Sequence, residues 1–221
     1  LSKKIILLAG PTSSGKSKLA IHLANKINGE IINADSMQIY KEFSILSSRP
    51  RGPEIKKIKH HLYGIVSVKK YFSAGDWIKE AKKKIFICLK KKKTPIIVGG
   101  TGLYFNTITK GISKIPDIDF KTRNNVRVLF KKLGSKKFYE KLLELDPKVK
   151  NKVFPKDSQR VQRAFEVKLK TKKSLFDWFA KTKSDFLDFD LRKIFIDIPR
   201  IDLLQKISNR TELMFKENCL E

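Results

Sequence analysis

Residues 10–17 read Gly-Pro-Thr-Ser-Ser-Gly-Lys-Ser, which fits the phosphate-binding pattern GxxxxGK(S/T). An apolar segment, Lys3 to Ala9, precedes this loop, and Lys16 to Ile27, which follows it, has the apolar spacing of a helix. In that context the loop's backbone N–H groups surround a phosphate, and the helix N-terminus adds positive potential. The Lys16 amine neutralises outer phosphate oxygens, and the Ser17 hydroxyl can ligate Mg²⁺. The pattern therefore predicts a diphosphate-type ligand, which need not be a nucleotide.

The rest of the chain alternates short apolar strands with helices. One predicted helix begins at Ser73, which forms a capping-box pair with Asp76. Because such alternation is typical of a parallel sheet covered by helices, we predict an α/β fold, a P-loop NTPase-like parallel sheet with helices on both faces. The predicted strands are Lys3–Ala9, Glu30–Ala34, Pro95–Val98 and Ile194–Ile198, the last followed by a helix from about Arg200.

The pattern changes after Gly111, where amphipathic helical segments replace the strands. These segments cover residues 126–133, 137–145, 158–170 and 174–179. We therefore expect a P-loop core of residues 1–113, an inserted small helical domain of residues 114–190, and a return to the core over residues 191–221.

The chain is strongly basic. It has 49 Lys and Arg against 22 Asp and Glu, a net charge of +27, and residues 110–173 alone hold 20 basic and 7 acidic side chains. A charge of this size points to a polyanionic partner such as nucleic acid or an anionic membrane. Two alternatives stay open: compositional drift toward lysine explains the magnitude, and an ordinary solvated helical surface explains the distribution.

Other classes of protein are excluded or disfavoured by composition. Hydrophobic residues make up 41% of the chain, which excludes wholesale disorder, and no apolar run is long enough to cross a bilayer. The two cysteines, Cys88 and Cys219, match no metal spacing, and His60-His61 has no Cys or carboxylate at ligand spacing, so we predict a structural role for these histidines. We expect a cytoplasmic monomer with no membrane association. Since the chain starts at Leu1 and stops inside a predicted helix, we also expect a fragment.

Two polar residues follow predicted strands at the edge of the sheet that carries the loop. Asp35 ends the second strand, and Thr101 lies in Gly99-Gly-Thr-Gly102 after the third. Because the carboxyl ends of parallel strands line one crevice, Asp35 is placed to hold Mg²⁺ through water or to accept a proton, and Thr101 to donate to a leaving-group oxygen. The alternatives are that each merely caps a turn. The third strand ends in Gly-Gly without an acid, which argues against a motor ATPase.

Gln159-Arg-Val-Gln-Arg163 puts two arginines three residues apart on one helix face, which suits phosphates or a base edge. A solvated helix face is the alternative. The nearby aromatic side chains Phe176, Trp178 and Phe179 are predicted to be core of the helical domain and not base-stacking platforms.

Four motifs together resemble one family, the tRNA dimethylallyltransferases, also called tRNA isopentenyltransferases. They are the loop at residues 10–17, Asn33-Ala-Asp-Ser-Met-Gln-Ile-Tyr40, Val98-Gly-Gly-Thr-Gly-Leu-Tyr104 and Gln159-Arg-Val-Gln-Arg-Ala-Phe-Glu166. The resemblance implies transfer of the dimethylallyl group from dimethylallyl diphosphate to N6 of adenosine 37 in tRNA, with Mg²⁺ as cofactor. It also implies that the inserted domain grips the anticodon stem-loop and that the target adenine is flipped into a channel.

The resemblance also assigns roles to residues. Asp35 accepts the proton of the adenine amine, and Thr101 helps to stabilise the departing diphosphate. Ser17 ligates the Mg²⁺. The residues expected to bind the diphosphate are Gly10, Pro11, Thr12, Ser13, Ser14, Gly15, Lys16, Ser17 and Arg210. The residues expected to contact tRNA are Asp35, Ser36, Met37, Gln38, Thr101, Arg123, Gln159, Arg160, Val161, Gln162 and Arg163.

The sequence departs from the family at two places. Lys206 stands where the family often has a second arginine, and Leu46-Ser-Ser-Arg-Pro50 replaces the usual Gly-Thr-Ala-Lys-Pro. The family is also expected to continue for some 80 or more residues beyond this end. Two other functions compete with prenyl transfer, namely a P-loop kinase acting on a small molecule and a non-catalytic RNA-binding fragment.

Overall fold

A computed structural model describes residues 3–52, 54–217 and 219, with only the backbone for residues 54 and 56. The chain forms two compact units, one of residues 1–109 with 185–221 and the other of residues 110–184. The sequence-based boundaries fall after residues 113 and 190. Unit 1 contains β1 (Lys4–Ala9), α1 (Lys16–Lys26), β2 (Gly29–Asn33), α2 (Glu54–Lys57), β3 (His60–His61), α3 (Ala74–Lys90), β4 (Thr94–Gly99), α4 (Gly102–Thr109), β5 (Asp190–Phe195) and α8 (Arg200–Lys216).

The core of unit 1 is a five-stranded sheet in the order β3-β2-β4-β1-β5, and all its strand pairs are parallel. Buried side chains form one cluster on each face, because the central strands are continuous apolar runs that alternate between the faces. Ile5 and Leu7 pack against α3 and α4, whereas Ile6 and Leu8 pack against α1. The predicted α/β class is confirmed.

The last predicted strand, Ile194–Ile198, is wrong at both ends. The observed strand β5 starts four residues earlier, and its register runs from Lys4 opposite Asp190 to Ala9 opposite Phe195. Its side chains are mostly exposed, since β5 lies at the sheet edge. Backbone pairing with β1 therefore determines where this strand begins and ends. The prediction relied on apolar content, which does not mark these boundaries.

Local sequence signals explain how α3 is placed. Ser73 and Asp76 form the predicted capping box, in which each side chain accepts from the backbone N–H of the other. The buried face of the helix carries Trp77, whose indole donates to the Asn33 carbonyl at 2.8 Å and whose ring stacks on Tyr104 at 4.3 Å. These contacts fix the carboxyl end of β2 against α3 and α4.

Unit 2 has its own hydrophobic core. Gly134, with φ 71° and ψ 169°, breaks α5 into two helical arms, which allows Phe130 to contact Phe138 edge-on. Of the three aromatic residues predicted to be core, Phe176 and Trp178 pack against it, but Phe179 is half exposed, so that prediction is wrong for Phe179. The helices are α5 (Phe120–Leu145), α6 (Ser158–Thr171) and α7 (Leu175–Ala180), with a 3-10 turn at Pro147–Val149.

Among the helices of the described residues, none combines the length and the apolar character that crossing a membrane requires.

The end of β4 passes so close to the end of β2 that residue 99 has to be glycine. A Cβ on Gly99 would lie 2.0 Å from the Ala34 carbonyl oxygen, which is backbone and has little room to yield. We expect Gly99→Ala to destabilise the protein by at least about 1–3 kcal/mol, the range for overpacked cores. Gly102→Ala is the control, because a Cβ there meets nothing within 4 Å. Urea unfolding of both variants tests this, and equal stabilities would contradict it.

Candidate active site

The loop of residues 10–17 has the backbone shape of an anion-binding turn. Gly15 is the N-cap of α1 and adopts φ 85°, a left-handed conformation that favours glycine, and Ser13 is also left-handed, at φ 58°. The Lys16 Nζ atom donates to the Pro11 carbonyl and lies 3.5 Å from the Ser14 hydroxyl, so its amine is held over the loop. The N–H groups at the start of α1 and the Lys16 amine are therefore placed to bind the same phosphate group.

Arg210 reaches this loop from α8. Its Nη1 donates to the Thr12 hydroxyl at 2.8 Å and lies 3.5 Å from that of Ser13, while Nη2 donates to the Ser47 carbonyl at 3.3 Å. The guanidinium thus links the P-loop to the loop that contains Ser47. A fork-shaped cation in this position suits a diphosphate oxygen better than an ammonium does.

Asp35 follows β2 and is held in a defined turn. Its Oδ1 atom accepts from the Met37 N–H at 2.9 Å, and its own N–H donates to Asn33 Oδ1 at 2.9 Å. The Asn33 amide also donates to the Leu62 carbonyl at 3.1 Å, which ties the turn to the neighbouring segment. One carboxylate oxygen of Asp35 therefore caps the turn, as the alternative prediction stated. The side chain also lines the cavity beside the P-loop.

Thr101 connects the ends of β2 and β4. Its hydroxyl accepts from the Ser36 N–H at 2.9 Å and lies 3.3 Å from the Ser36 hydroxyl, and its N–H donates to the Ala34 carbonyl at 3.1 Å. These hydrogen bonds join the segments that carry Asp35 and Thr101. They therefore hold the two residues at a fixed position relative to each other at the strand ends.

A single cavity of about 420 Å³ brings together the whole P-loop, Asp35, Gln38, Thr101 and Arg210. Burial lowers the pKa of Lys16, with Asp35 acting to raise it and Arg210 to lower it. Burial likewise lowers the pKa of Arg210, against the effect of Asp35. Three cations, Lys16, Lys18 and Arg210, and one carboxylate, Asp35, line the half-buried cavity. The resulting net positive field favours an anionic ligand.

Tyr63 and Ser48 also line this cavity. The sequence offered no signal for Tyr63, whereas Ser48 lies in the segment Leu46–Pro50 that departs from the family motif. Gln38, a predicted tRNA contact, donates from its amide to the carbonyls of Ser47 and Ser48 at 2.9 and 3.2 Å. Burial, with a smaller effect of Asp35, raises the pKa of Tyr63 well above its ordinary value, so the phenol stays neutral. Tyr63 comes after a two-residue strand, where no periodicity marks it.

Five of the predicted tRNA contacts, Arg123 and Gln159–Arg163 without Val161, lie in unit 2 and have polar side chains. Arg123 is on α5, and its Nε atom is buried without a hydrogen-bond partner among the described residues. Arg160 is exposed and forms an ion pair with Asp157, while Arg163 pairs with Glu166. Gln159 is exposed, and the Gln162 amide donates to the Ser158 carbonyl.

Val161 differs from its neighbours on α6. Its side chain is fully buried in the core of unit 2, and its N–H donates to the Asp157 carbonyl within the helix. Val161 therefore packs α6 against the core of unit 2, and its side chain is not available to a ligand.

Comparison with known proteins identifies the family of this chain. The family model described as IPP transferase matches residues 38–221. The chain belongs to the IPP transferase family. This family member is 54% identical over 217 residues to the tRNA dimethylallyltransferase of Pelagibacter ubique (strain HTCC1062), covering 98% of the chain and 69% of the relative. It is 41% identical over 220 residues to that of Rickettsia massiliae (strain Mtu5), covering 99% and 61%.

A solved structure of a eukaryotic dimethylallyltransferase acting on tRNA superimposes on this family member with a TM-score of 0.83 and 30% identity. That match covers 99% of the chain and 54% of the eukaryotic protein. The chain therefore spans between about half and about two thirds of the proteins that it resembles. The predicted family and the predicted enzyme class, a tRNA prenyltransferase, are confirmed, because relatives that match nearly the whole of this chain are named tRNA dimethylallyltransferase.

Proposed function

We propose that this protein transfers the dimethylallyl group of dimethylallyl diphosphate to N6 of adenosine 37 in tRNA and releases diphosphate. The observation that carries the proposal is the cavity, which the P-loop and Arg210 line together with Asp35, the one carboxylate among its described lining residues. A motor ATPase of this fold holds Mg²⁺ with an acid at the end of a neighbouring strand, whereas β4 ends in Gly99.

The chemistry follows from the charges in the cavity. The N6 lone pair attacks C1 of the dimethylallyl group while the C1–O bond breaks, and that electron pair leaves on the diphosphate. The P-loop N–H groups, Lys16 and Arg210 stabilise the charge that develops on the leaving oxygens. Asp35 accepts the proton that the amine loses. Thr101, bonded to Ser36, holds the strand end on which Asp35 lies.

The donors in the cavity fit Mg²⁺. The Ser17 hydroxyl and the Asp35 carboxylate both line it, and hard oxygen donors are what this ion prefers. When bound, Mg²⁺ would neutralise diphosphate charge as a Lewis acid. We propose Ser17 as its protein ligand, with Asp35 acting through water.

Unit 2 is proposed to bind the anticodon stem-loop through Arg123, Gln159, Arg160, Gln162 and Arg163, and unit 1 to contact RNA through Ser36, Met37 and Gln38. The excess of basic over acidic residues in unit 2 and the exposure of Arg160 support this. Met37 is half exposed next to Asp35, as a residue that touches a flipped base must be. The monomeric state and the cytoplasmic location stay predictions.

Competition between dimethylallyl diphosphate and ATP, both with Mg²⁺, tests the proposal. We expect the prenyl diphosphate to displace ATP and tRNA to be prenylated without ATP hydrolysis. ATP turnover in the absence of RNA would instead favour the small-molecule kinase. Binding of tRNA without any affinity for the diphosphate would leave only an RNA-binding role.

The RNA interface predicts a dependence on salt. If Arg160 contacts a phosphate, Arg160→Gln should reduce the slope of log K against log salt for a tRNA stem-loop by about one. Lys193→Gln is the control, because Lys193 is also exposed but lies on β5 in unit 1. Equal slopes in wild type and Arg160→Gln, measured by fluorescence anisotropy between 50 and 200 mM salt, would remove Arg160 from the interface.

A further inference from the structure

Three polar side chains meet in the core of unit 1, away from the phosphate cavity. Glu30 lies on β2, His61 on β3 and Cys88 on α3, and all three are buried. The fold brings them together because Glu30 and Ile32 share one face of β2, Ile32 pairs with His61, and α3 packs on that face with Cys88 inward.

The three side chains form a compact set of nitrogen, oxygen and sulfur donors. The His61 Nε2 atom lies 2.6 Å from Glu30 Oε2, and the Cys88 thiol donates to the same oxygen at 3.4 Å. Cys88 Sγ and His61 Nε2 are 4.0 Å apart, and all the donor atoms lie within 4.8 Å of one another. Imidazole, carboxylate and thiolate are the three protein ligands of zinc.

We infer that Glu30, His61 and Cys88 form a binding site for a zinc-like divalent ion, separate from the phosphate cavity. Tetrahedral zinc with bonds of about 2.0–2.3 Å needs ligand atoms roughly 3.3–3.8 Å apart. The Cys88–Glu30 distance already fits, the Glu30–His61 distance has to widen and the Cys88–His61 distance has to shorten, each by less than about 1 Å. One carboxylate and one thiolate balance the charge of the ion, which a buried site requires.

Burial affects the protonation of both His61 and Cys88 in the free site. Burial lowers the pKa of His61 against the opposing effect of Glu30, so the imidazole tends toward its neutral, ligating form. Burial and Glu30 raise the pKa of Cys88 to about 12, so the thiol must release one proton when the ion binds.

An ion can reach the cluster from the edge of the sheet. β3 has only two residues and is an edge strand, so a local opening of that edge exposes His61 without unfolding the central strands. A bound ion would then tie β2, β3 and α3 together.

Titration of the whole chain with Co²⁺, after treatment with a chelator, tests the site without using activity. Thiolate bound to Co²⁺ gives a charge-transfer band in the near ultraviolet, and oxygen ligands such as the Ser17 hydroxyl give none. The band should appear in wild type, disappear in Cys88→Ser and be retained in Cys219→Ser, the variant of the other cysteine of the chain. Zn²⁺ should displace the Co²⁺ and abolish the band.

Thermal unfolding in the presence of Zn²⁺ gives a second test of the site, which does not depend on the Co²⁺ band. The Tm of wild type and Cys219→Ser should rise with Zn²⁺ concentration, and that of Cys88→Ser and Glu30→Gln should not. If wild type gives no thiolate band and no rise in Tm, the three side chains are only a hydrogen-bonded core network and the inference is overturned. A band that is lost in Cys219→Ser and kept in Cys88→Ser would overturn it as well.

Discussion

Asp35→Asn is expected to lower the rate of prenyl transfer by about 10²–10⁴, the range for loss of a general base. The substituted amide keeps an oxygen that can accept from the Met37 N–H, so the turn after β2 should be preserved. The amide is not basic enough, however, to accept the proton of the adenine amine. The effect should therefore lie in the chemical step, measured as single-turnover transfer to a tRNA stem-loop.

Binding of dimethylallyl diphosphate separates the two roles considered for Asp35. If Asp35 acts only as a base, the diphosphate affinity of Asp35→Asn should stay within a few-fold of wild type. If it also holds Mg²⁺ through water, the affinity should fall with Mg²⁺ present and not in its absence. Asp188→Asn, an exposed carboxylate in a turn of unit 1, is the control. Transfer at the wild-type rate in Asp35→Asn would refute the base role.

The parts of the site that are local in sequence were predictable, and the reason is physical. The P-loop is a contiguous motif between a strand and a helix, and the ends of parallel strands share one edge, which is enough to place Asp35 beside Lys16. Tyr63 was not predictable, because it reaches the cavity from a segment that is anchored by Asn33 and Leu62 and has no repeating pattern.

The same distinction explains the errors in the fold. β5 was misplaced because its residues are exposed and charged at the sheet edge, where pairing with β1 decides the boundaries. The polar cluster in the core was missed for a related reason. His61 and Cys88 follow Glu30 by 31 and 58 residues, so no ligand spacing links the three in sequence. Long-range pairing of β2 with β3 and packing of α3 create that cluster.

The second large effect is expected at Lys16. Lys16→Met should weaken binding of dimethylallyl diphosphate by about 2–4 kcal/mol, which is roughly 30- to 1000-fold, because it removes a half-buried charge that would contact the diphosphate. Methionine has a similar length and keeps the apolar part of the side chain, so α1 should remain folded. Isothermal titration with Mg²⁺ present measures the loss.

Lys26→Met provides the matched control, because Lys26 is exposed at the other end of α1, about 15 Å along the helix axis. It changes the net charge of the protein by the same amount as Lys16→Met. A general loss of positive charge would weaken diphosphate binding equally in both variants, and a P-loop contact would weaken it only in Lys16→Met. Equal and small losses would mean that Arg210 and the loop N–H groups bind the diphosphate without the lysine, and the role assigned to Lys16 would be wrong.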